Sequence, residues 1–386
     1  MAVYHVFPPD TPPNVQEIGY ALAKLEGGAW TWFQEGIINE GAFPNVSLTD
    51  PSVAYDSFTG EFLVCAMTRD QARIILARWE PIGGQFGPWV VVSQASGAES
   101  FDKPWIVAGE MTLGPADGPL YPDPIGMREF YITWDGGPAL KYLRSRDGGE
   151  TWRGGDALTN LNNPSSVITP CNVPAPRVFG SQPLYVVFRK DDLTLEFVRG
   201  DDVNGGPHDG EVRFTRLVDE QTGQNLTVHL NIGSASLFFY VPPQNPFTGA
   251  NGPGFDLAVD PTNANRLYLV FNDTATSDPN DKDVNIYLRV LTRNPTTGRW
   301  SVGPAILVAD DDDPFNETDQ FLPAIVELRR RIGVLLHEVA VVVVDDVGFA
   351  VEAHIRFWTS FMGHAPAPRD PYANKSVIWS TQILLP

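Results

Sequence analysis

The sequence predicts an all-β fold: a single β-propeller over residues 1–386, with six blades, or seven on the alternative count. Three observations carry this expectation. A degenerate repeat of paired apolar strands runs along the chain. No stretch of about ten residues or more shows helical apolar periodicity. Finally, 35 glycines and 34 prolines in 386 residues suit a fold with many turns and fall short of low complexity.

The repeat begins with a Pro-x-Val/Ile step into a short apolar strand, then a turn and a second apolar strand. Its first copy is Asp50-Pro51-Ser52-Val53 with Glu61-Phe62-Leu63-Val64, and its second is Lys103-Pro104-Trp105-Ile106 with Phe130-Tyr131-Ile132-Thr133-Trp134. The third reads Pro176-Arg177-Val178-Phe179 with Leu184-Tyr185-Val186-Val187-Phe188, and the fourth Phe255-Asp256-Leu257-Ala258 with Arg266-Leu267-Tyr268-Leu269. In the fifth, Pro323-Ala324-Ile325-Val326 precedes Ile332-Gly333-Val334-Leu335-Leu336. One or two further alternating strands follow each pair, for example Arg73-Ile74-Ile75-Leu76 and Asn285-Ile286-Tyr287-Leu288. Successive meanders of this size point to blades set around an axis.

Strands at 4–7, 20–25 and 30–34, together with the C-terminal run 376–385, are expected to form a sixth blade from both chain ends. Such a blade closes the ring and removes its open edges. The stretch 205–250, with a strand candidate at 235–241, is the source of the seven-blade count.

The sharpest local motif is Ser145-Arg146-Asp147-Gly148-Gly149-Glu150-Thr151-Trp152. It matches Ser-x-Asp-x-Gly-x-x-Trp at every defined position. In a hairpin turn the Asp accepts backbone N–H groups, the Gly takes the unusual backbone angle and the Trp packs between strands. Asn294-Pro295-Thr296-Thr297-Gly298-Arg299-Trp300 keeps the Gly-x-Trp end. With these motifs the chain resembles the BNR/Asp-box (sialidase-like) β-propeller superfamily, which includes sialidases, related glycosidases and lyases, and non-enzymatic propellers. The resemblance implies that Asp147 is a structural staple at the blade periphery. It also implies a carbohydrate-active protein: a glycosidase acting on an anionic glycan in an axial funnel, or else a polysaccharide lyase or a non-catalytic propeller that binds a glycan or a protein. The Arg-Ile-Pro segment of sialidases is absent, and the first arginine of the chain is Arg69.

In a propeller, the loop entering the first strand of a blade and the loop leaving the second open on the same face. Asp50 and Asp102 enter first strands and are the candidate acids; His337 and Glu338 are read at an exit and are the candidate base. Arg69, Arg177 and Arg189, with Asp135 and Asp319, are the candidate substrate-binding residues, since arginine forks pair with a sugar carboxylate. Glycoside hydrolysis needs an acid for the leaving oxygen and a second group at the oxocarbenium-like centre.

No cofactor is required by this chemistry. Asp310-Asp311-Asp312-Asp313-Pro314-Phe315-Asn316-Glu317-Thr318-Asp319 supplies the oxygen ligands that calcium takes, without the spacing or glycine of an EF-hand loop. A solvated acidic loop and a structural calcium site both stay open. No metal ligand set is assigned. Two cysteines exclude a disulfide framework, and the six histidines are too scattered for an iron-centred propeller, only His337 falling at a repeat position. A formal net charge of −20 repels phosphate backbones, so nucleic acid is not an expected partner. No window reaches the ~18 apolar residues of a membrane span, and the N-terminus does not read as a signal peptide. Both a secreted and a cytoplasmic location stay open.

Overall fold

The computed structural model describes residues 1–6, 17–26, 29–38, 46–56, 59–97, 99–109, 129–136, 140–155, 168–174, 183–191, 194–202, 212–231, 239–241, 245–247, 254–260, 263–277, 284–309, 320–329, 337–345, 350–355 and 378–383. Among them there is no helix, and nearly all strand pairing is antiparallel between neighbours in sequence. The chain divides into two compact units, 1–190 with 197–216, and 191–196 with 217–386.

The first unit stacks four sheets. One holds β1 (Ala2–Val6), β2 (Glu17–Glu26) and β3 (Ala29–Ile37). The next holds β4 (Leu48–Asp56), β5 (Glu61–Thr68) and β6 (Arg73–Glu80), with β7 (Gln85–Phe86) and β8 (Val90–Gln94) pairing opposite ends of β6. The third runs β9 (Asp102–Ala108), β10 (Phe130–Asp135), β11 (Leu140–Ser145) and β12 (Arg153–Gly155). The fourth runs β13 (Ile168–Pro174), β14 (Leu184–Asp191), β15 (Thr194–Asp202) and β16 (Val212–Arg216).

Alternation along the strands explains the stacking. On β5, Val64 and Ala66 face the N-terminal sheet and join Ile18, Tyr20 and Leu22. Leu63, Cys65 and Met67 face the other way and meet Ile106, Phe130, Ile132 and Trp134. Tyr131, Leu140 and Tyr142 then pack on Leu184, Val186 and Phe188. Each middle sheet is thus buried on both faces, which is why its second strand reads as an unbroken apolar run. Each such aliphatic side chain contributes about 1.5–3 kcal/mol on burial.

The second unit begins with β17 (Thr227–His229), which pairs residues 194–196 of β15, and a hairpin of β18 (Phe239–Val241) and β19 (Asn245–Phe247). A sheet of β20 (Phe255–Val259), β21 (Arg266–Thr274) and β22 (Val284–Arg293) follows, with β23 (Trp300–Val302) and β24 (Ile306–Ala309) pairing opposite ends of β22. The last sheet is β25 (Gln320–Arg329), β26 (His337–Asp345), β27 (Ala350–Ile355) and β28 (Ile378–Ile383). Here β28 pairs β27 in parallel, so the C-terminal strand completes this sheet and does not pair with β1–β3. Of the strand candidate at 235–241, the described residues 239–241 form β18, paired antiparallel with β19.

The proline of the repeat has a structural consequence. Proline cannot donate to a strand ladder, so the pairing must step around it. The register shifts between Thr49 and Ser52 around Pro51, and between Thr133 and Asp135 opposite Pro104. It shifts again between Ile168 and Cys171 around Pro170, and between Phe321 and Ala324 around Pro323. β20 has no proline, and its ladder runs unbroken from Phe255 to Val259. The strand paired with β14 is therefore β13, with its step at Pro170; Pro176, which the sequence suggests, lies outside the described residues.

The turn from β11 to β12 is held by its own side chains. Asp147 Oδ1 accepts the N–H groups of Glu150 (3.1 Å) and Thr151 (2.9 Å) and the Ser145 hydroxyl (2.8 Å). Gly149 N–H donates to Ser145 Oγ (2.7 Å), and Trp152 Nε1 donates to Gly149 O (3.1 Å). Gly148 and Gly149 have φ of 75° and 87°, open to glycine at little cost. Arg78 of β6 donates to Gly148 O (2.6 Å) and pairs with Glu61, fastening the turn to the preceding sheet.

Candidate active site

Two of the proline steps bring acids together. Asp50 lies directly before Pro51 on β4, and Asp102 lies one residue earlier in its step, at the start of β9. The first strands β4 and β9 pack side by side, fastened where Ile106 N–H donates to Ser52 Oγ (3.0 Å). At their starts the Asp102 carboxyl lies within hydrogen-bonding reach of that of Asp50. Lys103 completes the cluster: its Nζ sits 3.2 Å from Asp50 Oδ1, and its backbone N–H donates to Asp102 Oδ1 (3.0 Å). Thr49 Oγ1 also donates to Asp50 Oδ1 (3.3 Å).

The backbone under this cluster is strained. Asp50 and Lys103 each precede a proline, which drives a residue to extended conformations. Yet their φ values are 49° and 50°, in the left-handed region. Such residues cost about 1–3 kcal/mol each and persist where the surroundings over-determine them, often at functional sites.

Burial raises the Asp102 carboxyl above its ordinary range against the pull of Lys103, and the neighbouring charge and hydrogen bond of Asp50 raise it further. The charge on Asp50 therefore bears directly on the Asp102 carboxyl. Across the ladder from Asp102 stands Asp135, the last residue of β10 and half-buried. Trp134, buried beside it, meets Phe101 edge-to-face at 5.5 Å.

The other predicted residues fall as follows. Arg69 follows β5, fully outward, with its backbone N–H bonded to Ser47 O (2.8 Å) at the entry to β4. Arg189 lies two residues before the end of β14, opposite Ile168, and is buried. By register, counting from the pairs Trp105↔Thr133 and Cys171↔Val187, it holds the position in its sheet that Asp135 holds in the third. Arg177 and Asp319 lie outside the described residues, as does the acidic run 310–319. His337 is placed differently from the expectation. It is the first residue of β26 and pairs with Arg329, the last of β25, whereas the strand exit is Asp345, which pairs with Gln320. His337 and Glu338 thus stand at the opposite end of their strands from the positions that Asp102 and Asp135 occupy in theirs.

Sequence reasoning missed Lys103, because nothing in a single lysine signals that a bulge will turn it onto Asp50. It also gave no special weight to Asn272 in the second unit. By the pair Asp256↔Val270, Asn272 takes the strand-end position corresponding to Asp135. It is 0% exposed, and neither its amide nitrogen nor its amide oxygen has a hydrogen-bond partner among the described residues. No group of three or more His, Cys, Asp or Glu side chains suited to a metal occurs among the described residues.

No protein-family model and no curated protein matches the chain. Solved structures do show likeness. A Hadza microbial sialidase is 14% identical with a TM-score of 0.47, over 88% of this chain and 60% of its own length. The Ruminococcus gnavus intramolecular trans-sialidase in complex with oseltamivir carboxylate is 10% identical, TM-score 0.48, over 85% and 83%. The Penicillium chrysogenum alpha-L-arabinanase complexed with arabinobiose is 12% identical, TM-score 0.41, over 78% of each chain. The chain thus spans 60% of the length of the first of these.

Proposed function

We propose that the chain is a carbohydrate-active β-propeller that hydrolyses a glycosidic bond, with Asp102 as the proton donor to the leaving oxygen. The observation that supports this is the Asp50–Asp102 contact on a doubly strained backbone, with Lys103 against it. A carboxyl that burial and a neighbouring acid push above its ordinary range suits general-acid catalysis.

The contact also restricts the mechanism. Paired carboxyls of glycosidases stand about 5–5.5 Å apart when a covalent intermediate forms, and about 6.5–9.5 Å when water attacks directly. Two acids in hydrogen-bonding contact are too close for either division of labour, so Asp50 supports Asp102 and the second catalytic group lies elsewhere. Asp135 is the described carboxylate best placed for it, since cross-strand partners have Cβ atoms about 4.5–5.5 Å apart. Arg69, exposed at the entry to β4, supplies positive charge for an anionic sugar.

A panel of fluorogenic glycosides, sialosides and uronides included, tests this with the wild-type chain, Asp102→Asn and Asp50→Asn, each with and without calcium. Turnover falling about 10²- to 10⁴-fold in Asp102→Asn is expected. A folded wild-type protein that turns over nothing in the panel overturns the hydrolase reading in favour of a glycan- or protein-binding propeller or a polysaccharide lyase.

A further inference from the structure

We propose that Lys103 is a positioning residue that assigns the shared proton of the acid pair to Asp102. The proposal rests on the reading of Asp102 as proton donor. It follows from how donors are distributed over the two carboxyls. Asp50 Oδ1 receives the Lys103 ammonium at 3.2 Å and the Thr49 hydroxyl at 3.3 Å. Two donors converge on that one oxygen, one of them cationic, and negative charge is best accommodated where such donors converge. Among the described residues Asp102 receives only the Lys103 backbone N–H at 3.0 Å, on Oδ1, which leaves its other oxygen to carry the proton and donate it to Asp50. A symmetric pair of acids would spread one proton over both groups; the ammonium breaks that symmetry.

The backbone supports the assignment. The left-handed φ of Lys103, immediately before Pro104, belongs to the step that separates Asp102 from the regular ladder. The same residue therefore presents its amide to Asp102 and its ammonium to Asp50. A lysine on a regular strand offers its N–H to the neighbouring strand instead.

Other charged groups on the elements packed around the pair are few among the described residues. Asp135 faces it from β10, and Arg69 and Asp70 follow β5, where Asp70 Oδ1 accepts from Thr68 Oγ1 and Ala72 N–H. Glu99, ahead of β9, is paired with Lys141 of β11 at 2.7 Å.

The experiment is carboxyl carbon NMR through a pH titration of the full chain, with aspartate side chains labelled, in wild type, Lys103→Met and Lys103→Arg. In wild type the higher titration step should appear at Asp102 with little response at Asp50. In Lys103→Met the step should move upward by about one pH unit and appear at both carboxyls. Lys103→Arg should restore the wild-type pattern. A higher step already shared equally in wild type, or one unchanged in Lys103→Met, overturns the proposal. Amide spectra of each variant report folding, so a lost fold is not mistaken for a lost assignment. Because the readout is a carbon shift and needs no substrate, it separates the two ideas. A chain that hydrolyses no glycoside yet shows the expected titration loses its proposed function and keeps its proton assignment. Where turnover exists, Lys103→Met should also carry the alkaline limb of the pH–rate profile upward by the same amount.

Discussion

Asp147 and Asp102 stand on the same sheet and are handled in opposite ways. Asp147, in the β11–β12 turn, is surrounded by donors: two backbone N–H groups and the hydroxyls of Ser145 and Thr151. Partial burial works against its ionisation, but the Thr151 and Ser145 hydrogen bonds outweigh it and hold the carboxyl below its ordinary range. Asp102 is more buried, faces another carboxylate and is pushed the other way. A carboxylate saturated with backbone donors is a structural element; one kept short of donors beside a second acid is prepared for proton transfer. The chemistry of the neighbours, rather than the residue type, separates the two roles.

Alanine substitution should break this comparison most visibly. Asp147→Ala leaves the N–H groups of Glu150 and Thr151 without their acceptor and frees the turn. Because these hydrogen bonds are exposed and water can take the acceptor's place, a loss of about 1–2 kcal/mol in urea unfolding is expected. Asp102→Asn keeps volume and hydrogen bonding, so its stability at neutral pH should stay within about 1 kcal/mol of wild type. Equal losses in the two variants would mean that the Asp50–Asp102 contact is a structural staple like the turn.

The turn and the acid pair were not equally legible in the sequence. Ser145, Asp147, Gly149 and Trp152 are close in the chain and bond mainly to one another, so their spacing suffices to find the turn. Asp50 and Asp102 could be placed at entries to first strands because Pro51 and Pro104 mark those steps. Their mutual contact, and the part of Lys103, depend on two bulges whose left-handed residues no pattern announces. The third step was misplaced because Pro170 is followed by Cys171 and Asn172, whereas Pro176 is followed by the more strand-like Val178 and Phe179. In the fifth repeat, apolar residues continue from Ile332 through Val344 with a break only at His337 and Glu338. Period-two alternation cannot show where a turn ends in such a run, and the pairing of His337 with Arg329 decides it. The blade count was obscured for a related reason: in two sheets the outer strand is split, β7 with β8 and β23 with β24.

Gly149→Ala sharpens the structural half of the comparison. A Cβ on Gly149 would lie 2.7 Å from Leu63 Cδ2 of the preceding sheet, at a φ of 87° that L-residues rarely adopt. A loss of about 1–2 kcal/mol is expected from strain and overpacking combined. Leu63→Ala in the same background relieves only the overpacking, so a full recovery of the Gly149→Ala increment would show that the backbone angle carries no cost.

The smallest effect is in the pH dependence, where the two aspartates should have opposite signs. The folded state holds Asp147 below its unfolded value, so its contribution is present above the ordinary carboxylate range and is lost as pH falls through the lowered folded value. Asp102 is raised, so its contribution is full at low pH and is lost as pH rises from the ordinary carboxylate range through the folded value. Urea midpoints followed from pH 3 to pH 9 should therefore lose part of their acid-side slope in Asp147→Asn and part of their higher-pH decline in Asp102→Asn. Because Asp50 adds to the effect of burial on Asp102, the second change should shrink in an Asp50→Asn background, where burial alone is left to raise it. If Asp102→Asn altered only the acid-side slope, both acids would be ionised carboxylates held by donors, and the distinction between the turn and the acid pair would fail.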